Sequence, residues 1–143
     1  MNFGLIGIGA AITFAAIGSA LGAGAAGMAA VGAWKKCFIQ NKPAPFMLIT
    51  FVGAPLTQTI YGYILMNTLY QAVSKLDSAM VLGIGVLGGI AMGFSALYQG
   101  KAGACASDAL AETGKGFGNY IMVLGLIETV ALFVMVFLMG LIG

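Results

Sequence analysis

Four long apolar stretches, separated by short polar connections, dominate the chain. They run roughly over 2–33, 46–70, 79–110 and 117–142. Each is long enough to cross a bilayer as an α-helix, which takes about 20 apolar residues. None shows the alternation of apolar and polar residues that is typical of a membrane barrel, and open β-structure cannot span lipid. The pattern therefore predicts an all-α membrane protein with four transmembrane helices.

The polar connections indicate how these helices are oriented. The first connection, over 34–45, carries Lys35, Lys36 and Lys42. Loops on the cytoplasmic side of a membrane are enriched in Lys and Arg. We therefore expect the first connection and the third, over 112–116, to face the cytoplasm, with both termini on the outer side. The apolar N-terminal stretch lacks the basic segment of a signal peptide, so we expect it to be retained as the first helix.

The two halves of the chain carry an internal repeat. The motif Ser-Ala-Leu at 19–21 recurs at 95–97, an offset of 76 residues, and Gln58 aligns with Glu128 at an offset of 70. The second half has a shorter internal connection. The repeat predicts one structural unit made of two tandem helical hairpins of the same orientation, 1–72 and 73–143.

The odd and even stretches differ in residue size. Glycine is concentrated in the first and third, and aromatic residues in the second and fourth. Small residues let helix backbones approach closely in lipid, as in the Gly-x-x-x-Gly pattern over 18–22. We therefore expect helices 1 and 3 in a crowded inner layer and helices 2 and 4 facing lipid. A ring of several copies would have this arrangement, and a compact four-helix bundle is the alternative.

Composition excludes several classes of function. Only 7% of the 143 residues are charged and none is His, whereas soluble domains carry about 25% charged residues. A nucleic-acid binder needs a basic patch, and few side chains here could perform catalysis. Cys37 and Cys105 have neither metal-ligand spacing nor a His partner, so we expect reduced thiols. The G-x-G-x-x-G match over 83–88 lies inside an apolar stretch with no strand before it, which argues against a dinucleotide site.

Glu128 is the residue that apolar packing does not explain. It lies about ten residues into the fourth stretch, or about 15 Å along a helix, near the middle of a hydrocarbon core about 30 Å thick. An ionised carboxylate costs at least about 3 kcal/mol there, so such residues are usually functional. The alternative is that Glu128 has only a structural role, as a protonated and hydrogen-bonded side chain. We expect Glu128 to bind an ion.

The second stretch supplies candidate partners for this carboxylate. Thr57, Gln58 and Tyr61 are spaced so that one surface of a helix presents all three. Pro55 has no amide hydrogen, so a carbonyl one turn earlier loses its donor and the backbone around Ala54 is perturbed. Hydroxyl, amide, carbonyl and carboxylate oxygens together suit a hard cation such as Na⁺ better than a proton, which needs only the carboxylate. The alternative for the polar side chains is interhelical hydrogen bonding.

Gln99 in the third stretch is a further candidate ligand. A straight count from the start of this stretch puts it about 30 Å along the helix. It would then lie nearer the cytoplasmic edge than Glu128, unless helix tilt reduces the difference. A solvated residue at the membrane boundary is an equally good interpretation of Gln99.

These residues carry a resemblance to a known family. The duplicated hairpin, the segment Pro-Leu-Thr-Gln-x-x-Tyr over 55–61, Gln99 and the segment Leu-Ile-Glu-Thr over 126–129 resemble the proteolipid K subunit of V-type ATPases. The similarity is greatest to the sodium-transporting bacterial kind and covers essentially the whole chain. It implies a non-catalytic rotor subunit in the cell membrane, which forms a homo-oligomeric ring with helices 1 and 3 inside. The ring would turn against a stator subunit bearing an essential Arg and would bind central-stalk subunits.

The resemblance also implies roles for individual residues. Glu128 would be the essential carboxylate, and Tyr61 would hydrogen-bond it to lock the site. The family often has a larger apolar residue at position 54, a change that a backbone ligand tolerates. The remaining Na⁺ ligands would be three side chains and one backbone carbonyl, those of Thr57, Gln58, Gln99 and Ala54.

The expected function is therefore Na⁺ translocation by a rotor ring, with one ion bound per protomer. Two alternatives stay open. The same rotor could carry H⁺, with the amides purely structural, or the chain could be a small multidrug-type transporter whose membrane Glu binds cations. A purely structural protein would leave Glu128 unexplained.

Overall fold

The computed structural model describes residues 3–143, so the predicted start of the first helix at Asn2 lies outside the described residues. All regular elements in that range are helical. Four continuous helical segments in that range are each long and apolar enough to cross a membrane, and the second of them, Leu48–Ala72, contains a short 3₁₀ turn. The fold is therefore all-α, as predicted. In chain order the elements are α1 (Phe3–Ile39), α2 (Leu48–Gly53), a 3₁₀ turn (Ala54–Leu56), α3 (Thr57–Ala72), α4 (Ser78–Thr113) and α5 (Phe117–Ile142).

The predicted end of the first helix is wrong. Instead of ending at Ala33, α1 continues to Ile39, so that Lys35 and Lys36 belong to the helix. Residues 34–39 contain neither Gly nor Pro, and a cation in the last turn is favourable beside the helix C-terminus. The Trp34 indole N–H donates to the Pro45 carbonyl at 2.7 Å and ties the following connection back onto the helix.

The helix pair α1 and α4 forms the centre of the molecule. The two helices run parallel, with Gly7 against Gly85 and Gly18 against Gly93. A Cβ atom at Gly18 would overlap the backbone of α4, so this approach requires glycine. Small residues of this kind allow close helix contacts in membranes. In the glycine pattern over 83–88, Gly85 and Gly88 pack closely against neighbouring helices, whereas a Cβ atom at Gly83 would meet nothing within 4 Å.

The helix α5 has the most outward-facing surface. Its buried residues are Leu124, Ala131 and Met135, whereas Phe133 and Phe137 are more than half exposed. In water such a surface would be costly, and in a bilayer it contacts lipid or another apolar helix. This distribution agrees with the expectation that the aromatic-rich helices lie outside the glycine-rich pair.

Two apolar clusters hold the helices together, with a polar layer between them. The first cluster lies towards the N-terminal ends of α1 and α4 and includes Leu65, Met92 and Met135. The second lies towards their C-terminal ends and includes Leu48 and Phe51. The layer between the clusters contains the buried polar side chains Ser19, Gln58, Ser95 and Gln99.

Candidate ion-binding site

Glu128 lies in α5 at the level of this polar layer, and both of its carboxylate oxygens accept hydrogen bonds. The Tyr61 hydroxyl donates to Oε1 at 2.8 Å. The Gln99 amide nitrogen donates to Oε2 at 3.0 Å. Hydrogen bonds to an ionised carboxylate are stronger than those between neutral groups. The two donors therefore hold the carboxylate in a defined orientation between α3 and α4.

Gln99 is fully buried, so its interpretation as a solvated boundary residue is wrong. Its amide nitrogen also donates to the Leu124 carbonyl at 3.0 Å. The helix α4 continues to Thr113, about 21 Å beyond Gln99 at 1.5 Å per residue. The end of the helix thus lies well beyond the level of Glu128, and Gln99 itself lies inside the bundle.

Gln58 connects α3 to α4. Its amide nitrogen donates to the Gln99 Oε1 atom at 2.8 Å and to the Ser95 hydroxyl oxygen at 3.4 Å. Ser95 in turn donates to the Ile127 carbonyl at 2.9 Å. Sequence reasoning did not identify Ser95 as a site residue. Its spacing of four residues before Gln99, on the same face of a helix, was the available signal.

Three oxygen atoms converge beside Gln58, at the 3₁₀ turn. The Thr57 hydroxyl oxygen lies 3.0 Å from the Ala54 carbonyl oxygen and 3.1 Å from Gln58 Oε1. The turn forms because Pro55 cannot donate a helical hydrogen bond, as expected from the sequence. One hydroxyl hydrogen cannot satisfy both neighbouring oxygens at once. The arrangement is therefore rich in acceptor atoms and suited to a cation.

The structure brings all the predicted site residues into one connected group. A single hydrogen-bonded chain runs from Thr57 through Gln58 and Gln99 to Glu128 and ends at Tyr61. Gln99 presents its nitrogen to the carboxylate and its oxygen to Gln58. Among residues 3–143 no group of three or more His, Cys, Asp or Glu side chains could hold a metal ion. A cation here would be held by one carboxylate and neutral oxygens.

Comparison with known proteins gives one family match over part of the chain and one relative of similar sequence. Residues 82–141, which include Ser95, Gln99 and Glu128, match the family model of the ATP synthase C-subunit. The chain is 30% identical over 131 residues to the A-type ATP synthase subunit K of Methanocaldococcus jannaschii. That similarity covers 91% of this chain and 57% of the relative, so the chain spans a little over half of the relative's length.

The family match agrees with the architecture. The matched range covers most of α4 and nearly all of α5, the two helices that carry Gln99 and Glu128. Within residues 3–143, four helical segments are long and apolar enough to cross a membrane. The resemblance drawn from the motifs is thereby confirmed at the level of the family. Residues 82–141 thus match the ATP synthase C-subunit family, and the described residues have the long apolar helices of a multi-pass membrane protein.

Proposed function

We propose that the chain is a non-catalytic rotor-ring subunit of a V/A-type ATPase and that each protomer carries one Na⁺. The observation that carries the proposal is the connected polar group around Glu128, enclosed between two apolar clusters of membrane helices. Ionisable residues inside a membrane are costly and mark ion pathways. ATP hydrolysis or synthesis would take place on other subunits.

The choice of Na⁺ rests on the number and kind of oxygen atoms that Gln58 and Gln99 link to the carboxylate through hydrogen bonds. Hard cations favour carboxylate, carbonyl and hydroxyl oxygens. The Thr57 hydroxyl oxygen lies 3.0 Å from the Ala54 carbonyl oxygen and 3.1 Å from the Gln58 amide oxygen, and both are hydrogen-bond distances. A proton carrier would need only Glu128, and this cluster of acceptors would then have no role in transport.

Charge neutralisation explains how such a site would work. Na⁺ bound at Glu128 cancels the charge of the carboxylate, so the loaded protomer could pass through lipid without the cost of a buried charge. A stator Arg would offer the carboxylate another cationic partner and favour release of the ion. Tyr61, which donates to Glu128 at 2.8 Å, would hold the loaded site closed.

We further propose that the first and third connections face the cytoplasm and contact the central stalk, with both termini on the outer side. The excess of Lys in the first connection and at the end of α1 supports this orientation. At that end Lys36 lies 3.7 Å from Glu112 and joins α1 to α4. The 37 and 36 residues of α1 and α4 correspond to about 55 Å, so these helices would extend beyond the hydrocarbon core.

Carbodiimide labelling of Glu128 tests the proposed function. Carbodiimides react with protonated carboxyl groups, so we expect Na⁺ to slow the labelling of Glu128. Less Na⁺ should be needed for this protection as the pH rises, because fewer protons then compete for the carboxylate. The exposed Glu112 is an internal control that Na⁺ should not protect. If Na⁺ does not change the rate of Glu128 labelling at any pH, the result would instead support the H⁺-carrying rotor.

Alanine substitutions test the neutral ligands. Gln58→Ala, Gln99→Ala and Thr57→Ala should each weaken Na⁺ binding by about fivefold to a hundredfold, since a lost buried polar contact costs about 1–3 kcal/mol. All three should still support transport at high Na⁺. Tyr61→Phe should speed Na⁺ release more than it weakens binding at equilibrium. Equilibrium binding of radioactive Na⁺ to the purified oligomer makes the comparison. Unchanged affinity in both Gln variants would mean that the amides are structural.

A further inference from the structure

We propose that Ser95 is a positioning residue that fixes the orientation of the Gln58 amide and thereby sets the cation affinity of the site. The inference rests on the proposed function, because it assigns a new residue to the same site. Ser95 is 6% exposed and lies on α4, between Gln58 on α3 and the α5 backbone next to Glu128. It touches the ligand group without being one of the predicted ligands.

The Ile127 carbonyl fixes the direction of both hydrogen bonds that Ser95 makes. The Ile127 carbonyl can only accept, so the Ser95 hydroxyl must donate its single hydrogen to it, at 2.9 Å. The Ser95 oxygen is then left as an acceptor on its other side. Gln58 must therefore turn its amide nitrogen, and not its oxygen, towards Ser95, as observed at 3.4 Å.

Gln99 imposes the same direction on Gln58. Its amide nitrogen faces two acceptors, the Leu124 carbonyl and the Glu128 carboxylate. The Gln99 oxygen consequently points to Gln58 and accepts from the Gln58 nitrogen at 2.8 Å. Both amides thus have every hydrogen engaged, and rotating either one by half a turn would bring oxygen against oxygen.

The consequence is that Gln58 Oε1 can face only one way. It points to the Thr57 hydroxyl and joins the oxygen cluster that includes the Ala54 carbonyl. In a low-dielectric layer an amide turned the wrong way would present N–H groups to a cation and repel it. Ser95 and Gln99 together oppose that state, and removing Ser95 leaves the Gln58 amide nitrogen with Gln99 as its one hydrogen-bond partner among residues 3–143.

Two serines of the same chain provide matched controls. Ser107 is also fully buried on α4, but its hydroxyl donates to the Gly103 carbonyl of its own helix. Ser19 occupies the position of Ser95 in the other half of the repeat, and its hydroxyl has no hydrogen-bond partner among residues 3–143. Neither hydroxyl hydrogen-bonds to Gln58, so substituting either should leave Na⁺ affinity unchanged.

The test measures radioactive Na⁺ binding to the purified full-length oligomer. Ser95→Ala should weaken binding by about fivefold to thirtyfold, in the range of one lost buried hydrogen bond. Ser95→Thr keeps the hydroxyl and should restore most of the affinity. Ser107→Ala and Ser19→Ala should bind like the wild type. Equal binding by Ser95→Ala and the wild type would overturn the inference.

A double-mutant comparison separates positioning from a general effect on packing. If Ser95 acts through Gln58, Ser95→Ala should cause little further loss of Na⁺ affinity in a Gln58→Ala background. Losses that simply add would show that Ser95 stabilises the helices and does not orient the amide. This comparison also decides the question if Ser95→Thr assembles poorly. A wild-type protein that binds no Na⁺ would overturn the proposed function and this inference together. If the wild type binds Na⁺ and Ser95→Ala binds it equally well, this inference is wrong and the proposed function still stands.

Discussion

Glu128→Gln is expected to abolish ion-coupled turnover of the assembled ATPase. The amide keeps the size of the carboxyl group and can still bond to Tyr61 and Gln99, which donate to Glu128 at 2.8 and 3.0 Å. It carries no charge, so it can neither neutralise Na⁺ nor pair with a stator Arg. Removing the only charge of a buried cation site costs far more than removing a neutral ligand.

The measurement is uptake of radioactive Na⁺ into vesicles that contain the whole complex, driven by ATP. We expect uptake at the background level even at saturating Na⁺, which distinguishes this variant from the three neutral-ligand variants. Asp108→Asn is the control, because it removes an exposed carboxylate of α4 that lies outside the polar network. Substantial Na⁺ uptake by Glu128→Gln would exclude Glu128 as the ion carrier.

Gly18→Ala is expected to prevent normal assembly of the protein. A Cβ atom at Gly18 would overlap backbone atoms of Gly93, which cannot move aside as a flexible side chain can. Overpacking costs about 1–3 kcal/mol where side chains can adjust, and here α1 and α4 would have to separate. Because α1 and α4 pack against each other along most of their length, we expect a severe loss of folded protein.

The control is Gly32→Ala, since a Cβ atom at Gly32 of the same helix meets nothing within 4 Å. Alanine also favours the helix there by about 1 kcal/mol over glycine. The readout is the yield of detergent-extracted oligomer and its thermal stability on a native gel. Equal yields for the two variants would show that α1 and α4 do not require this close approach.

The four membrane helices could be predicted from the sequence because the membrane allows few alternatives. Backbone groups in lipid must be bonded within the element, so long apolar stretches become helices. The same environment makes Glu128 stand out, because no apolar packing accounts for a carboxylate there. The helical spacing of Thr57, Gln58 and Tyr61 correctly indicated that one surface of α3 presents them together.

Local sequence also explains the 3₁₀ turn at Ala54–Leu56, because a missing amide hydrogen at Pro55 acts within one turn. It did not reveal where the first helix ends. The lysines at 35 and 36 suggested a loop, whereas α1 continues to Ile39 because nothing breaks the helix there. Charge indicates where a chain meets water, and a helix can extend past that boundary.

The sequence by itself therefore determined the helices, their number and the residue that bears the charge, since each follows from local hydropathy and spacing. Only the tertiary structure decided that Gln99 reaches Glu128 from a neighbouring helix and that Ser95 joins the group through the Ile127 carbonyl. Depth along separate helices depends on how those helices slide against one another. The register of α4 against α5 is seen only in contacts between the two helices, such as Gly88 against Leu138 and Gln99 with the Leu124 carbonyl, which no single stretch of sequence contains.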